Sequence, residues 1–185
     1  MSQNIVFVLI FVIYALIAGG IGIAIYVLRS LGLYKLAKNR GIDNAWLAWL
    51  PVGDAYIMGY LSEASPFVQR KFPKMHIIFT SVMGGYFLIT IISSLGMFLS
   101  SVPLGPSGFN LFGGYGYISL VLVFIYLIAI FVMVLLYFVL YHIYKTYDPQ
   151  NAVLYTVLSV FGLSFIFLFV IRNKQPQTGQ KELTE

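Results

Sequence analysis

Residues 5–28 read IVFVLIFVIYALIAGGIGIAIYVL, 24 consecutive positions without a charge. At 1.5 Å per residue such a helix is about 36 Å long, enough to cross a hydrocarbon core of about 30 Å. It has no polar face to offer water, so its natural solvent is lipid. The composition agrees. The 185 residues are 60% hydrophobic and only 9% charged, with a mean hydropathy of +0.91, whereas a soluble domain carries about 25% charged residues. The four residues before the run lack the basic start of a signal peptide, and the run is too long for a signal h-region, so it is expected to remain as an anchor.

Three further apolar runs follow, at residues 75–100, 117–144 and 152–171. The third span, at 28 residues, would be about 42 Å long and must tilt or protrude. The last run has 20 residues and two readings. A full crossing is preferred because an uninterrupted apolar run of that length inserts readily; the alternative is a dip and return near Gly162. Residues 45–61 are also apolar but are broken by Pro51, Gly53, Asp54 and Gly59. Backbone groups freed by such breaks need partners at membrane depth, which points to a re-entrant or interfacial segment. The expected fold is therefore an all-α integral membrane protein with about four transmembrane helices plus that broken segment. Residues 1–174 form a single helical domain, and 175–185 a disordered polar tail.

Basic residues suggest the orientation. Arg29, Lys35, Lys38, Arg40, Arg70, Lys71 and Lys74 lie between the first two long runs, and none lies in the N-terminus or the 101–116 loop. This places 29–74 in the cytoplasm and the N-terminus outside. A fourth crossing would then carry Arg172, Lys174 and Lys181 outside, against the rule. There is also a hint of duplication: Tyr34-Lys35 followed by Asn44-Ala45 is echoed, with a two-residue gap, by Tyr144-Lys145 followed by Asn151-Ala152. Repeats of this kind place sites at the repeat interface in transporter folds.

The densest constellation is residues 35–60, KLAKNRGIDNAWLAWLPVGDAYIMGY. Leu31, Tyr34 and Ala37 share one helical face and Lys35 and Lys38 another, so the first helix is expected to continue along the interface. Gly41 is a candidate C′ glycine, and Asp43 or Asn44 a candidate N-cap. Trp46 and Trp49 fall on one face, as interfacial anchors or as an aromatic pocket for a lipid headgroup or cationic ligand. Residues 34–61 resemble a motif of small multi-pass bacterial membrane proteins of unknown function, in which a basic helix end precedes Gly-x-x-Asn-Ala-Trp-Leu-Ala-Trp-x-Pro. Residues 144–175 resemble their C-terminal part. The resemblance implies a bacterial plasma-membrane location and brings no activity or catalytic residue with it.

An ionisable group inside an apolar segment costs at least about 2.5–3.5 kcal/mol at mid-bilayer. Asp54 is therefore expected either to cap the turn after Pro51 or to bind a proton or cation. Arg40, Asn44, Tyr56, His76, His142 and Asp148 complete the ligand or partner candidates. Both histidines should sit at the same membrane face, but no His-x-x-x-His or Glu-x-x-His spacing marks a metal site. Tyr137, Tyr141 and Tyr144 form a stripe suited to an aromatic belt or a cavity wall. Ala18 with Gly22, Gly20 with Ala24 and Ser81 with Gly85 suggest close packing of the first two spans. The glycine-rich 101–116 loop follows no strand and lacks Lys-Ser/Thr, so it is no phosphate-binding loop. No cofactor is indicated, and despite the net charge of +5 no basic run interleaved with stacking aromatics lies outside the apolar segments, so no nucleic acid is expected as a partner. The expected partners are the bilayer, anionic lipid headgroups and another membrane protein. The expected role is an accessory, regulatory or scaffolding subunit. A small transporter or channel using Asp54, and an enzyme gathering His76, His142, Asp54 and Asp148 around a lipid-linked substrate, are the alternatives.

Overall fold

The computed structural model describes residues 3–101 and 114–177, with side chains placed over 5–98 and 121–177. The middle of the 101–116 loop and the end of the polar tail lie outside the described residues. Among those described, all regular structure is helical: α1 Gln3–Asn39, a 3-10 helix Ala45–Trp49, α2 Gly53–Ser62, α3 Pro66–Lys71, α4 Met75–Ser101, α5 Gly114–Tyr147, α6 Ala152–Leu158 and α7 Ser164–Ile171. Four segments, Ile5–Asn39, Met75–Phe98, Val121–Tyr147 and Ala152–Ile171, are long and apolar enough to cross a membrane.

Helix α1 ends as its sequence suggests. Gly41 has φ 71°, the left-handed conformation that glycine adopts without a Cβ penalty. The Gly41 N–H donates to Lys38 O (3.1 Å) and the Ile42 N–H to Ala37 O (3.0 Å), which together make a Schellman motif. In the last turns of α1 Leu33, Leu36 and Ala37 are fully buried while Lys35 and Lys38 are exposed, so the inward face runs through Leu33 and Leu36, and Leu31 stays exposed. Of the two candidate N-caps, Asn44 rather than Asp43 takes the position. Asn44 precedes the 3-10 helix without a side-chain capping bond, and only its carbonyl takes part, accepting from the Leu47 N–H.

From Arg40 the chain climbs back along α1, turns at Pro51, and returns as α2. The Tyr26 hydroxyl donates to Trp49 O, Arg29 meets Asp54, and Arg40 donates to Tyr60 O and Leu61 O. Successive partners therefore descend α1 and α2 in the same sense. At ten residues, α2 is about 15 Å long and does not span. Ala55, Ile57, Met58 and Leu61 are buried because α2 is enclosed by α1, α4 and α5.

The third long helix, α5, is followed by a similar device. The segment Ala152–Ile171 breaks at Phe161 (φ −84°, ψ 15°) and Gly162 (φ 82°, ψ 6°), and α7 runs back beside α1. Its ends meet. Lys174 Nζ lies 2.6 Å from Asp148 Oδ2 and the Gln177 N–H donates to Thr146 O at 2.9 Å. A straight 20-residue helix would hold those ends about 30 Å apart. Of the two readings of 152–171, the fold follows the dip and return. The Tyr144 hydroxyl pairs with Ser159 Oγ at 3.0 Å and the Tyr137 hydroxyl donates to Ser159 O at 3.4 Å, so two of the three stripe tyrosines hold the broken turn. Two of the three long helices, α1 and α5, thus each lead into a folded-back pair beginning at Asn-Ala, and the returning arms cross over, α2 onto α5 and α7 onto α1.

The core gathers at one end of the bundle. Its members come from the C-terminal turns of α1 and α5, the start of α4, α2 and α7, while residues 5–26 of α1 are exposed on every side. The small-residue pairs do not mark the packing: a Cβ added at Gly19, Gly20, Gly22 or Gly85 meets nothing within 4 Å. Close approach occurs instead at Gly32, where a Cβ would lie 2.9 Å from the Leu168 carbonyl, and at Gly59, where it would lie 2.6 Å from His76 Cα.

Candidate functional site

Asp54 enters the first turn of α2, where a negative charge is favoured by the free N–H groups of the helix start. It is not a side-chain cap; Val52 occupies the N-cap position. Its carboxylate Oδ2 lies 2.7 Å from Arg29 Nη2, with the two side chains 16% and 29% exposed. Arg29 also reaches Met58 Sδ at 3.5 Å and lies within electrostatic range of the Tyr144 hydroxyl. It therefore ties the middle of α1 to α2. Asp54 Oδ1 and Arg29 Nε are buried without a hydrogen-bond partner among the described residues. Reading the sequence missed Arg29 as a partner because it sits 25 positions from Asp54 and was counted with the loop cations.

A second cluster joins three candidates at the junction of α2 and α4. Glu63 Oε1 accepts from the His76 backbone N–H (2.9 Å) and lies 2.7 Å from its Nδ1. The His76 ring meets Tyr56 edge-on at 5.3 Å and Tyr60 at 5.5 Å. The Arg40 guanidinium lies 5.3 Å from the centre of the Tyr60 ring. Arg40, Tyr56 and His76 are thereby brought together, with Tyr60 and Glu63 as residues the sequence did not single out for it.

His142 stands apart. Its Nδ1 lies 3.0 Å from Ser65 Oγ, and its ring stacks on Phe67 at 5.3 Å and meets Phe138 at 4.6 Å. It is a buried packing histidine with one polar tie to the start of α3. Asp148 is separate again, held by Lys174 and by the Asn151 amide at 3.3 Å. No ion pair or hydrogen bond among the described residues joins any two of Asp54, His76, His142 and Asp148, and no group of three His, Cys, Asp or Glu side chains there could hold a metal. Trp46 and Trp49 face outward, 57% and 38% exposed, and line no enclosed pocket. Asn44 is exposed.

The cations divide in two. Arg29, Arg40, Lys145, Arg172 and Lys174 are tied to the fold by ion pairs, hydrogen bonds or aromatic faces. Lys35, Lys38, Arg70, Lys71 and Lys74 are exposed and make no ion pair with a described residue. The exposed acid of this end is Asp43.

The tie at Asp148 has a predictable pH dependence. Burial pushes its carboxyl up, but hydrogen bonds from Lys174 and Asn151 and the Lys174 charge outweigh that and hold it below the usual carboxylate range. A group whose pKa is lower folded than unfolded contributes stability that is complete above the unfolded value and fades as pH falls through the folded one. The clamp joining the ends of the 152–171 pair should be intact from neutral pH down to about pH 4 and weaken below it. The protection of the Gln177 amide, its exchange rate relative to the unprotected amide at the same pH, should fall in wild type below pH 4 and already be low at neutral pH in Lys174→Met. Equal exchange in the two proteins at neutral pH would refute the clamp.

Set against protein-family models, curated proteins and solved structures, the chain matches none of them.

Proposed function

We propose that this chain is a non-catalytic multi-pass protein of the bacterial plasma membrane, an accessory or scaffolding subunit that works through a basic, aromatic cytoplasmic face. One observation carries the reading. The carboxylates Asp54, Glu63 and Asp148 and both histidines are engaged inside the fold, while Lys35, Lys38, Arg70, Lys71 and Lys74 are exposed at the end of the bundle where the core lies. A face with spare cations is suited to an acidic protein segment or to anionic headgroups.

The orientation is part of the proposal. Folding 152–171 back on itself returns Arg172 and Lys174 to the level of Asp148. Every Lys and Arg except Lys181, outside the described residues, then belongs to one side, and the conflict with the positive-inside rule disappears. The N-terminus is outside and the C-terminus inside. The chain has no cysteine, so single cysteines at Gln69 and Gln175, both exposed, can be labelled cleanly. Both should react with an impermeant maleimide only from the cytoplasmic side; opposite sides would restore the fourth crossing.

The test of the function is purification of the intact chain in a mild detergent. A membrane or peripheral partner should co-purify and be lost when Lys35, Lys38, Arg70, Lys71 and Lys74 are replaced by Gln. Repeated recovery of this chain alone would count against the proposal. A second reading, a small ion or solute transporter, draws support from the unpartnered Asp54 Oδ1 between two broken elements. Proteoliposome flux abolished by Asp54→Asn would favour it.

A further inference from the structure

Beside the exposed cations lies a groove between α4 and α5. Phe72, Met75 and Ile78 form one wall and Phe131, Val134 and Phe138 the other, enclosing a volume of about 280 Å³. Every lining side chain is apolar, and the walls remain open to the surroundings: Phe72, Ile78, Phe131 and Val134 are 41%, 42%, 60% and 65% exposed. Lys71 immediately precedes the groove residue Phe72, Lys74 immediately precedes Met75, and Arg70 joins Lys71 in the last turn of α3. All three cations are exposed and free of ion pairs with described residues.

A slot of hydrocarbon and aromatic side chains ending in a cluster of unpaired cations has the pattern of an amphiphile with an anionic head. From this we infer that the α4–α5 groove holds one acyl chain of an anionic phospholipid whose phosphate is bound by Arg70, Lys71 and Lys74. The occupant is a lipid rather than a partner helix because the one carboxylate at the start of α4, Glu63, is turned to His76, leaving three exposed cations at the end of an apolar slot, the charge complement of a single phosphate above an acyl chain. Basic pockets between membrane helices on the cytoplasmic side recognise anionic headgroups in the same way. The inference rests on the proposed cytoplasmic basic face and narrows it to one site.

Native mass spectrometry of the full chain titrated with phosphatidylglycerol or phosphatidylcholine tests it. Wild type should retain one tightly held phosphatidylglycerol in preference to phosphatidylcholine. Each cation near such a headgroup is worth about a fivefold factor, so Arg70→Ala/Lys71→Ala/Lys74→Ala should weaken phosphatidylglycerol about 100-fold and leave phosphatidylcholine unchanged. Val134→Trp fills the groove from an exposed position and should displace the tightly held lipid with all charges intact. Lys35→Ala/Lys38→Ala removes charge from the same end but away from the groove and should have little effect. Loss of anionic preference in that last variant, with the groove variants unaffected, would overturn the site while leaving the basic face standing. Absence of any preference for phosphatidylglycerol would overturn the lipid site, while the basic face itself stands or falls with the co-purification of a partner. A photo-cross-linker on Val134→Cys that captures a protein instead of lipid would replace the lipid with a partner helix.

Discussion

Asp54→Ala should be among the most damaging single substitutions in this chain. It leaves the Arg29 guanidinium inside the fold with its 2.7 Å carboxylate partner gone. Breaking a buried pair from one side costs about 3–5 kcal/mol, because the remaining charge keeps its desolvation penalty and loses its attraction. Arg29 is not fully enclosed, so the lower end of that range is expected. The free Nε makes matters worse, since it has no acceptor among the described residues and the other acceptor within reach of the guanidinium is the weak thioether sulfur of Met58. Removing both charges is a different experiment. Arg29→Met/Asp54→Leu replaces the pair by apolar groups of similar bulk and should recover most of the loss, as buried pairs often give way to hydrophobic replacements at little cost. Thermal unfolding of the detergent-solubilised proteins, followed by monodisperse elution, reads the ranking: wild type and double variant close together, Asp54→Ala well below. If the double variant were as unstable as the single one, the pair would be doing more than neutralising itself, and the transport reading of Asp54 would gain.

The same pair shows where sequence reasoning reaches its limit. Hydropathy and length locate α1, α4 and α5 within a few residues because a long apolar run has few other places to go in water or lipid. Local chemistry located the end of α1, since a single glycine in the left-handed region serves the Schellman bonds to Ala37 and Lys38. The outward Trp46 and Trp49 were legible for a similar reason, as amphipathic rings at a helix surface. What could not be read was pairing across distance. Nothing near Asp54 in sequence announces Arg29, and nothing near Glu63 announces His76. The turn at Gly162 is held by Tyr144 and Tyr137 from another helix. An apolar run of 20 residues has the same composition whether it crosses or returns, and one glycine does not decide between them. The Asn-Ala echo and the cations Arg172, Lys174 and Lys181, which a fourth crossing would misplace, were the sequence signals of the second folded-back pair.

The small residues sharpen this into the last expected result. Gly-containing small-x-x-x-small pairs are abundant in membrane helices, so the spacing alone does not tell which of them touch anything. Gly59 does: its missing Cβ leaves room for the backbone at the start of α4, with His76 Cα 2.6 Å and Met75 O 3.1 Å from where that atom would stand. Backbone cannot rotate out of the way as a flexible side chain can. Gly59→Leu must therefore push α2 and α4 apart, dragging Glu63 from His76 and opening the core around Ile57, Met58 and Leu61, all of them fully buried. Overpacking of this kind costs typically 1–3 kcal/mol and sometimes more; with backbone on the receiving side, about 3 kcal/mol is expected, read as a large fall in melting temperature and loss of a monodisperse peak. Gly20→Leu is the matched control. It changes the same residue type in the same solvent, but on a face with nothing within 4 Å, and leucine favours the helix by about 1 kcal/mol over glycine. It should be neutral or slightly stabilising. If Gly20→Leu proved as harmful as Gly59→Leu, the exposed half of α1 would have a partner in the membrane, and the one-sided core of this fold would be half of a larger one.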